Sequence, residues 1–105
     1  MSYVSTHILD TATGRPVVGL GVSLQHSDGT EIACAVTDAD GRCAALGPDR
    51  LDAGCYRLRF DTSAHLGPEA FFPEVLIAFR VHDDESHYHV PLLLAPFAYS
   101  SYRGS

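Results

Sequence analysis

The feature that most narrows what this chain can fold into is its punctuation. Turn-forming clusters recur at short intervals: GRP at 14–16, SDG at 27–29, DADG at 38–41, GPD at 47–49, DAG at 52–54, GP at 67–68, DDE at 83–85 and AP at 95–96. Glycine reaches positive φ without strain, proline presets φ, and aspartate or serine side chains accept hydrogen bonds from nearby backbone N–H groups. The runs left between these clusters are too short for most helices and the right length for strands.

Several runs also alternate. Val22, Leu24 and His26 oppose Ser23 and Gln25, and Ile32, Cys34 and Val36 oppose Ala33 and Ala35. Tyr56, Leu58 and Phe60 oppose Arg57 and Arg59, the clearest division into inside and outside. Val75, Ile77, Phe79 and Val81 oppose Leu76, Ala78 and Arg80. Period two means strand, and many short strands joined by turns mean an all-β sandwich or barrel. The stretch VSTHILD reads as a first strand. FFPE, at 71–74, reads as a strand start, with Pro73 tolerated at the first position. One short helical turn is expected near residues 62–66.

At 105 residues the chain is read as one domain, 1–105, with room for a single core. Apolar residues make up 46% and charged residues 19%, a balance that suits an ordered globule rather than a disordered tail. The net charge is -6, and the seven basic residues are all arginine, with no basic run. Nucleic acid is therefore not an expected partner. No apolar stretch approaches the roughly 20 residues needed to cross a bilayer as a helix. The start, MSYVSTHILD, lacks the charged and apolar regions of a secretory signal, and the ending RGS is not a peroxisomal address. The expected location is the cytoplasm. The three cysteines are odd in number and lack CxxC spacing, which suits reduced thiols serving as small packing residues.

Two segments depart from the inside-outside scheme. VLIAFRV and VPLLLAPFAY are apolar on both faces, whereas a sandwich needs only one buried face per sheet. The second apolar face is expected to be buried against another subunit; a fully internal strand is the alternative.

The residues that could carry chemistry are histidines and arginines. His87 and His89 lie two apart, so on a strand their imidazoles share a face. That pair could begin a zinc site, could place a general base beside a second polar group, or could simply be exposed. His7, inside the first strand, taken singly suits a hydrogen-bonded structural role. Arg42, just after the DADG turn, taken singly suits a solvated charge. HDDE, at 82–85, reads as a solvated hairpin tip, and His26 and His65 carry no spacing signal. Neither a glycine-rich phosphate loop nor a GxSxG elbow is present.

Three segments, STHILDTATGRPVVGL, TDADGR and HYHVPLLLAPFAYSSYRGS, taken in this order and spacing, resemble the 5-hydroxyisourate hydrolases, the transthyretin-related enzymes of urate catabolism. The final Tyr102, Arg103, Gly104 and Ser105 are the most specific element of the resemblance. Hormone-carrying transthyretins lack that ending and the histidine corresponding to His89. Ala95 stands where the family pattern has serine, away from the chemical positions. The resemblance implies a two-sheet antiparallel β-sandwich of about eight strands with one short helix. It implies a homotetramer, a dimer of dimers, with active sites at the dimer–dimer interface and the tail folded into the site. It implies no cofactor and no metal.

The implied reaction opens the cyclic amide of 5-hydroxyisourate to a ureidoimidazoline acid. The resemblance carries the catalytic roles onto His7, Arg42 and His89. It carries substrate binding onto Arg42, Tyr102, Arg103, Gly104 and Ser105, and leaves His87 without a role. A water must lose a proton, an oxyanion must be stabilised, and a planar ring must be held. A neutral imidazole suits the first task and the arginine fork the other two. Two other classes remain: a transthyretin-like carrier of a small ligand without turnover, and a zinc site on His7, His87 and His89.

Overall fold

The computed structural model describes residues 3–82 and 86–104. Nine strands and one helix follow in the order β1 Val4–Asp10, β2 Arg15–Pro16, β3 Gly21–His26, β4 Glu31–Val36, β5 Arg42–Leu46, β6 Gly54–Phe60, α1 Ser63–Leu66, β7 Val75–Val81, β8 Tyr88–Ala95 and β9 Ala98–Ser101. They form two sheets. The first, sheet A, runs β2-β1-β8-β9, with β5 also pairing along β1; the second, sheet B, runs β4-β3-β6-β7. The expected sandwich of about eight strands is present, with the two-residue β2 as an addition. The helix falls where the sequence places it. No helix of the described residues is long and apolar enough to cross a membrane.

The inward residues of the two sheets make the core. Val4 and Ile8 of β1 and Leu92 and Leu94 of β8 face Leu24, Leu58, Phe60 and Val75 of sheet B, all essentially inaccessible. Burial of each such side chain contributes roughly 1.5–3 kcal/mol. Tyr56, Leu58 and Phe60 are buried as their alternation requires. One pairing is not antiparallel: β1 and β8 run parallel, from Val4 opposite Tyr88 to Asp10 opposite Leu94. The chain re-enters sheet A from β7 at the end where it began, and the Tyr88 N–H donates to the Tyr3 carbonyl there. A parallel pair is admissible because its connection crosses through the opposite sheet.

Three details differ from the sequence reading. In β4 the alanines face the core: Ala33 pairs with Leu24 and Ala35 with Val22, so Cys34 and Val36 point outward. A register shift between Leu24 and Gln25 leaves Ile32 as the extra residue of a bulge, and it too packs on the core. Cys43 alone is a buried packing residue; Cys34 and Cys55 are exposed. Residues 71–74 precede β7 rather than begin it. Their carbonyls serve the helix: the Ser63 N–H donates to Pro73 O, and the Thr62 hydroxyl donates to Phe72 O.

The two doubly apolar strands take different places. β8 is internal, paired to β1 and β9, with Pro91 already buried on its second face. β7 is an edge strand, and its Leu76 remains 43% exposed. Of HDDE, only His82 falls among the described residues.

Candidate active site

Strand register assembles the site. Residues paired across a sheet point to the same side, and alternate residues of one strand share a face. Thr6, Cys43 and Val90 are inward and buried, which turns Ser5, His7, Arg42, His89 and Pro91 outward. His7 pairs with Arg42 across β1 and β5. On its other side His7 pairs with Pro91, and Ser5 pairs with His89. Neighbouring strands lie about 4.8 Å apart and residues rise about 3.3 Å each, so His7 and His89 sit roughly 8 Å apart along a diagonal. Arg42 stands one strand further. The outer face of sheet A thus gathers two imidazoles and a guanidinium from three strands.

A rigid turn holds Arg42. One carboxylate oxygen of Asp38 accepts from the Asp40 N–H at 2.9 Å and the Arg42 N–H at 3.0 Å. The Asp38 N–H donates to Arg42 O, and the Gly41 N–H to Asp38 O. These donors, Arg42 first and then Asp40, hold the Asp38 carboxyl below its ordinary range. Gly41 has φ of 75°, and a Cβ there would lie 2.6 Å from Ile8 O. Only glycine permits this turn to press against β1, and the Ile8 N–H closes the contact on Gly41 O at 2.8 Å.

His89 is held on two sides. Its Nδ1 lies 2.8 Å from the Ser5 hydroxyl, which lies 2.7 Å from Nε2 of His87. Its carbonyl accepts from the Gly104 N–H at 2.8 Å. A Cβ on residue 104 would collide with Cδ2 of the His89 ring, so glycine is what lets the tail cross the imidazole. Partial burial, and then the nearby Arg42 guanidinium and the His87 and His7 rings, push the His89 pKa below the ordinary histidine value. His89 is therefore neutral around pH 7, with a lone pair to offer.

The tail follows β8 in one register. Ser101 pairs with Leu92, and Gly104 bridges to His89. The ladder is interrupted opposite Pro91, which has no N–H to donate; the Ser101 hydroxyl donates instead to Pro91 O at 2.7 Å. The same register sets Tyr102 opposite Pro91, on the outer face with His7, and Arg103 opposite Val90, on the inner side. Arg103 accordingly stacks over the Tyr88 ring, 4.6 Å from its centroid. It lines a cleft of about 400 Å³ between β7 and the tail, with His82 and Arg80. Of the expected substrate-binding residues, the fold thus brings Arg42, Gly104 and Tyr102 to the histidine face and turns Arg103 to the other side. Ser105 lies outside the described residues.

Two residues escaped the sequence reading. Ser5 shares the face of His7 by period two, but its partner lies 84 positions away. Asp38 reads only as a turn former. Nδ1 of His89 and Nε2 of His87 both turn to the Ser5 hydroxyl, and no group of three or more metal-ligating side chains occurs among the described residues.

This arrangement, a sandwich whose outer face carries a neutral imidazole beside a guanidinium, can deprotonate water and hold a carbonyl or oxyanion. Residues 4–104 match the HIUase/Transthyretin family, and the chain belongs to that family. It is 41% identical over 115 residues to a 5-hydroxyisourate hydrolase of Caulobacter vibrioides, covering all of both chains. The solved 5-hydroxyisourate hydrolase of Klebsiella pneumoniae is similar at a TM-score of 0.87 and 43% identity, covering 99% of this chain and 100% of that one. Sea bream transthyretin, solved in complex with thyroxine, is similar at 0.88 and 32% identity, covering 97% and 94%. Backbone shape does not separate an enzyme from a carrier here; the side chains on the outer face of sheet A must.

Proposed function

We propose that this chain is a 5-hydroxyisourate hydrolase, opening the cyclic amide of its substrate to 2-oxo-4-hydroxy-4-carboxy-5-ureidoimidazoline in urate catabolism. The observation that carries the reading is the convergence of His7, Arg42 and His89 on one face by strand register. His89, neutral at physiological pH, takes a proton from the attacking water. His7 stands between His89 and Arg42 and positions that water. Arg42, anchored by the Asp38 turn, presents paired donors to the ring carbonyls and to the oxyanion that forms. Tyr102 offers a flat aromatic face to a planar heterocycle, and Gly104 closes the tail against His89. No cofactor is required by these steps. A carrier of an apolar ligand would need a mainly apolar pocket, and this face is cationic and imidazole-rich.

The working unit is a homotetramer, a dimer of dimers, with the site at the dimer–dimer interface. Exposed apolar side chains support that assembly: Val18 at 60%, Phe97 at 77% and Tyr102 at 59% accessible. Phe97 lies in the turn between β8 and β9, beyond the Ala95–Ala98 pair at one end of sheet A, and Val18 follows β2 along β1. The test is an ultraviolet time course of freshly generated 5-hydroxyisourate. Accelerated decay with the protein is expected; decay at the spontaneous rate with a well-folded tetramer removes the hydrolase reading.

A further inference from the structure

We infer that Ser5 and His87 are positioning residues that fix the tautomer of His89, so that its Nε2 carries the lone pair and serves as the base. The inference deepens the hydrolase reading and rests on it. A serine hydroxyl has one proton and two lone pairs. The Ser5 hydroxyl lies between two ring nitrogens, 2.7 Å from His87 Nε2 and 2.8 Å from His89 Nδ1. Among the described residues no third group bonds the Ser5 hydroxyl, so with both rings neutral its proton goes to one of these two nitrogens and it accepts from the other. The two histidines are therefore not independent: the proton on one facing nitrogen excludes a proton on the other.

Two arrangements satisfy that count. In one, the Ser5 O–H donates to His89 Nδ1, so His89 carries its hydrogen on Nε2 and has no lone pair there. In the other, His89 Nδ1–H donates to Ser5, and the Ser5 O–H donates to Nε2 of His87. His89 Nε2 is then bare. Only the second arrangement leaves Nε2 able to take a proton from water. It also needs no rearrangement when that proton arrives, because imidazolium still donates through Nδ1 to the same oxygen. The first would force the hydroxyl to turn away in the same step. Preorganisation of this kind is what a catalytic site gains from fixed dipoles.

The rest of the geometry agrees. Ser5 is buried and paired in register with His89, so its hydroxyl is fixed by the sheet. The Cδ2 edge of His89 is closed by Gly104. With Nδ1 on Ser5, the nitrogen left for chemistry is Nε2. His87, two residues earlier on the same face, has its Nε2 on the far side of the hydroxyl, where an acceptor is needed. The histidine that the family resemblance leaves without a role acquires one: its lone pair aims the Ser5 proton away from His89.

The experiment is a long-range imidazole proton–nitrogen correlation on nitrogen-15 histidine-labelled full chain at neutral pH, without substrate. Wild type is expected to show Nδ1–H and a bare Nε2 on both His87 and His89. Ser5→Ala and His87→Phe are expected to move His89 toward the Nε2–H form, which unconstrained imidazole prefers in water. Both should lower kcat by about tenfold or more with KM little changed, short of the loss from removing the base itself. Ser5→Thr, which keeps the hydroxyl, and His87→Gln, which offers an amide oxygen as acceptor, should restore both readouts. A wild-type His89 already in the Nε2–H form overturns the inference, as does an unchanged tautomer and kcat in both Ser5→Ala and His87→Phe. Neither result touches the hydrolase reading, which fails only if wild type leaves the decay of 5-hydroxyisourate at its spontaneous rate.

Discussion

The outer faces of the two sheets are both polar, yet they are polar in different ways. On sheet B the groups satisfy one another. The Arg57 Nε–H donates to Gln25 Oε1 at 2.6 Å, the Gln25 amide donates to Ser23, and the Ser23 hydroxyl donates to Glu31. Arg59 pairs with Glu74 at 3.3 Å. On sheet A, His7, His89 and Arg42 are gathered from three strands, and among the described residues no carboxylate forms an ion pair with any of them. A closed network contributes stability and has nothing left for a ligand. A cluster in which His89 is held at Nδ1 by Ser5 but no described carboxylate neutralises the arginine is costly to assemble and useful to a substrate. Arginine on a strand thus means different things on the two faces, and the neighbours across the ladder decide which.

Substitutions can break that comparison, and the largest effects belong to sheet A. His89→Asn and His7→Asn should each cost on the order of a hundredfold or more in kcat while the fold survives, measured by turnover and circular dichroism. Near-normal turnover in both would remove the assignment of base and water-positioning group. Arg42→Lys keeps the charge but loses the planar fork, and a fall of roughly tenfold in kcat/KM is expected.

The pH profile sharpens the electrostatic part. His89 has its pKa lowered, so its lone pair survives below the ordinary histidine value of about 6.5 and is lost as pH falls through its own lower value. The acid limb of kcat/KM should therefore lie below pH 6.5. Burial is the leading cause, with Arg42 next and His87 behind it, so His87→Gln should move the limb upward only part of the way. A limb at or above 6.5 in wild type would contradict the neutral-base account.

Sheet B should answer in stability and not in rate. Gln25→Leu strips Arg57 and Ser23 of a partner and is expected to cost about 2 kcal/mol in denaturant unfolding. Arg59→Gln removes only an exposed pair, with an expected change within about 1 kcal/mol. Turnover at the wild-type level is expected in both. A large loss of kcat in either would mean that the division between the faces is wrong.

Much of this was legible in the chain itself. The turn clusters and the alternation in β6 and β7 specify a sandwich, because a strand with one buried face must repeat every second residue. The inversion in β4 was not legible: a bulge at Ile32 changes which face is inward, and the small Ala33 and Ala35 fit against Val22 and Leu24 where the phase suggested Cys34 and Val36. Nor could the exposure of Cys34 and Cys55 be read, since their type suits a core and only the register turns them out. The family-like tail pointed to His7, Arg42 and His89, and the ladder explains how they meet. Ser5 stayed hidden because a serine on a strand is ordinary until the partner strand is known. Arg103 was expected beside the histidines; its odd offset from Gly104 sends it to Tyr88 instead.

The central claim, that catalysis resides on the outer face of sheet A, is tested most directly by one paired measurement. Decay of freshly generated 5-hydroxyisourate is followed by ultraviolet absorbance with wild type, His89→Asn and Arg59→Gln at equal concentrations of folded protein. The account predicts rapid decay with wild type and Arg59→Gln, and a rate near the spontaneous one with His89→Asn. Equal acceleration by all three proteins would contradict it.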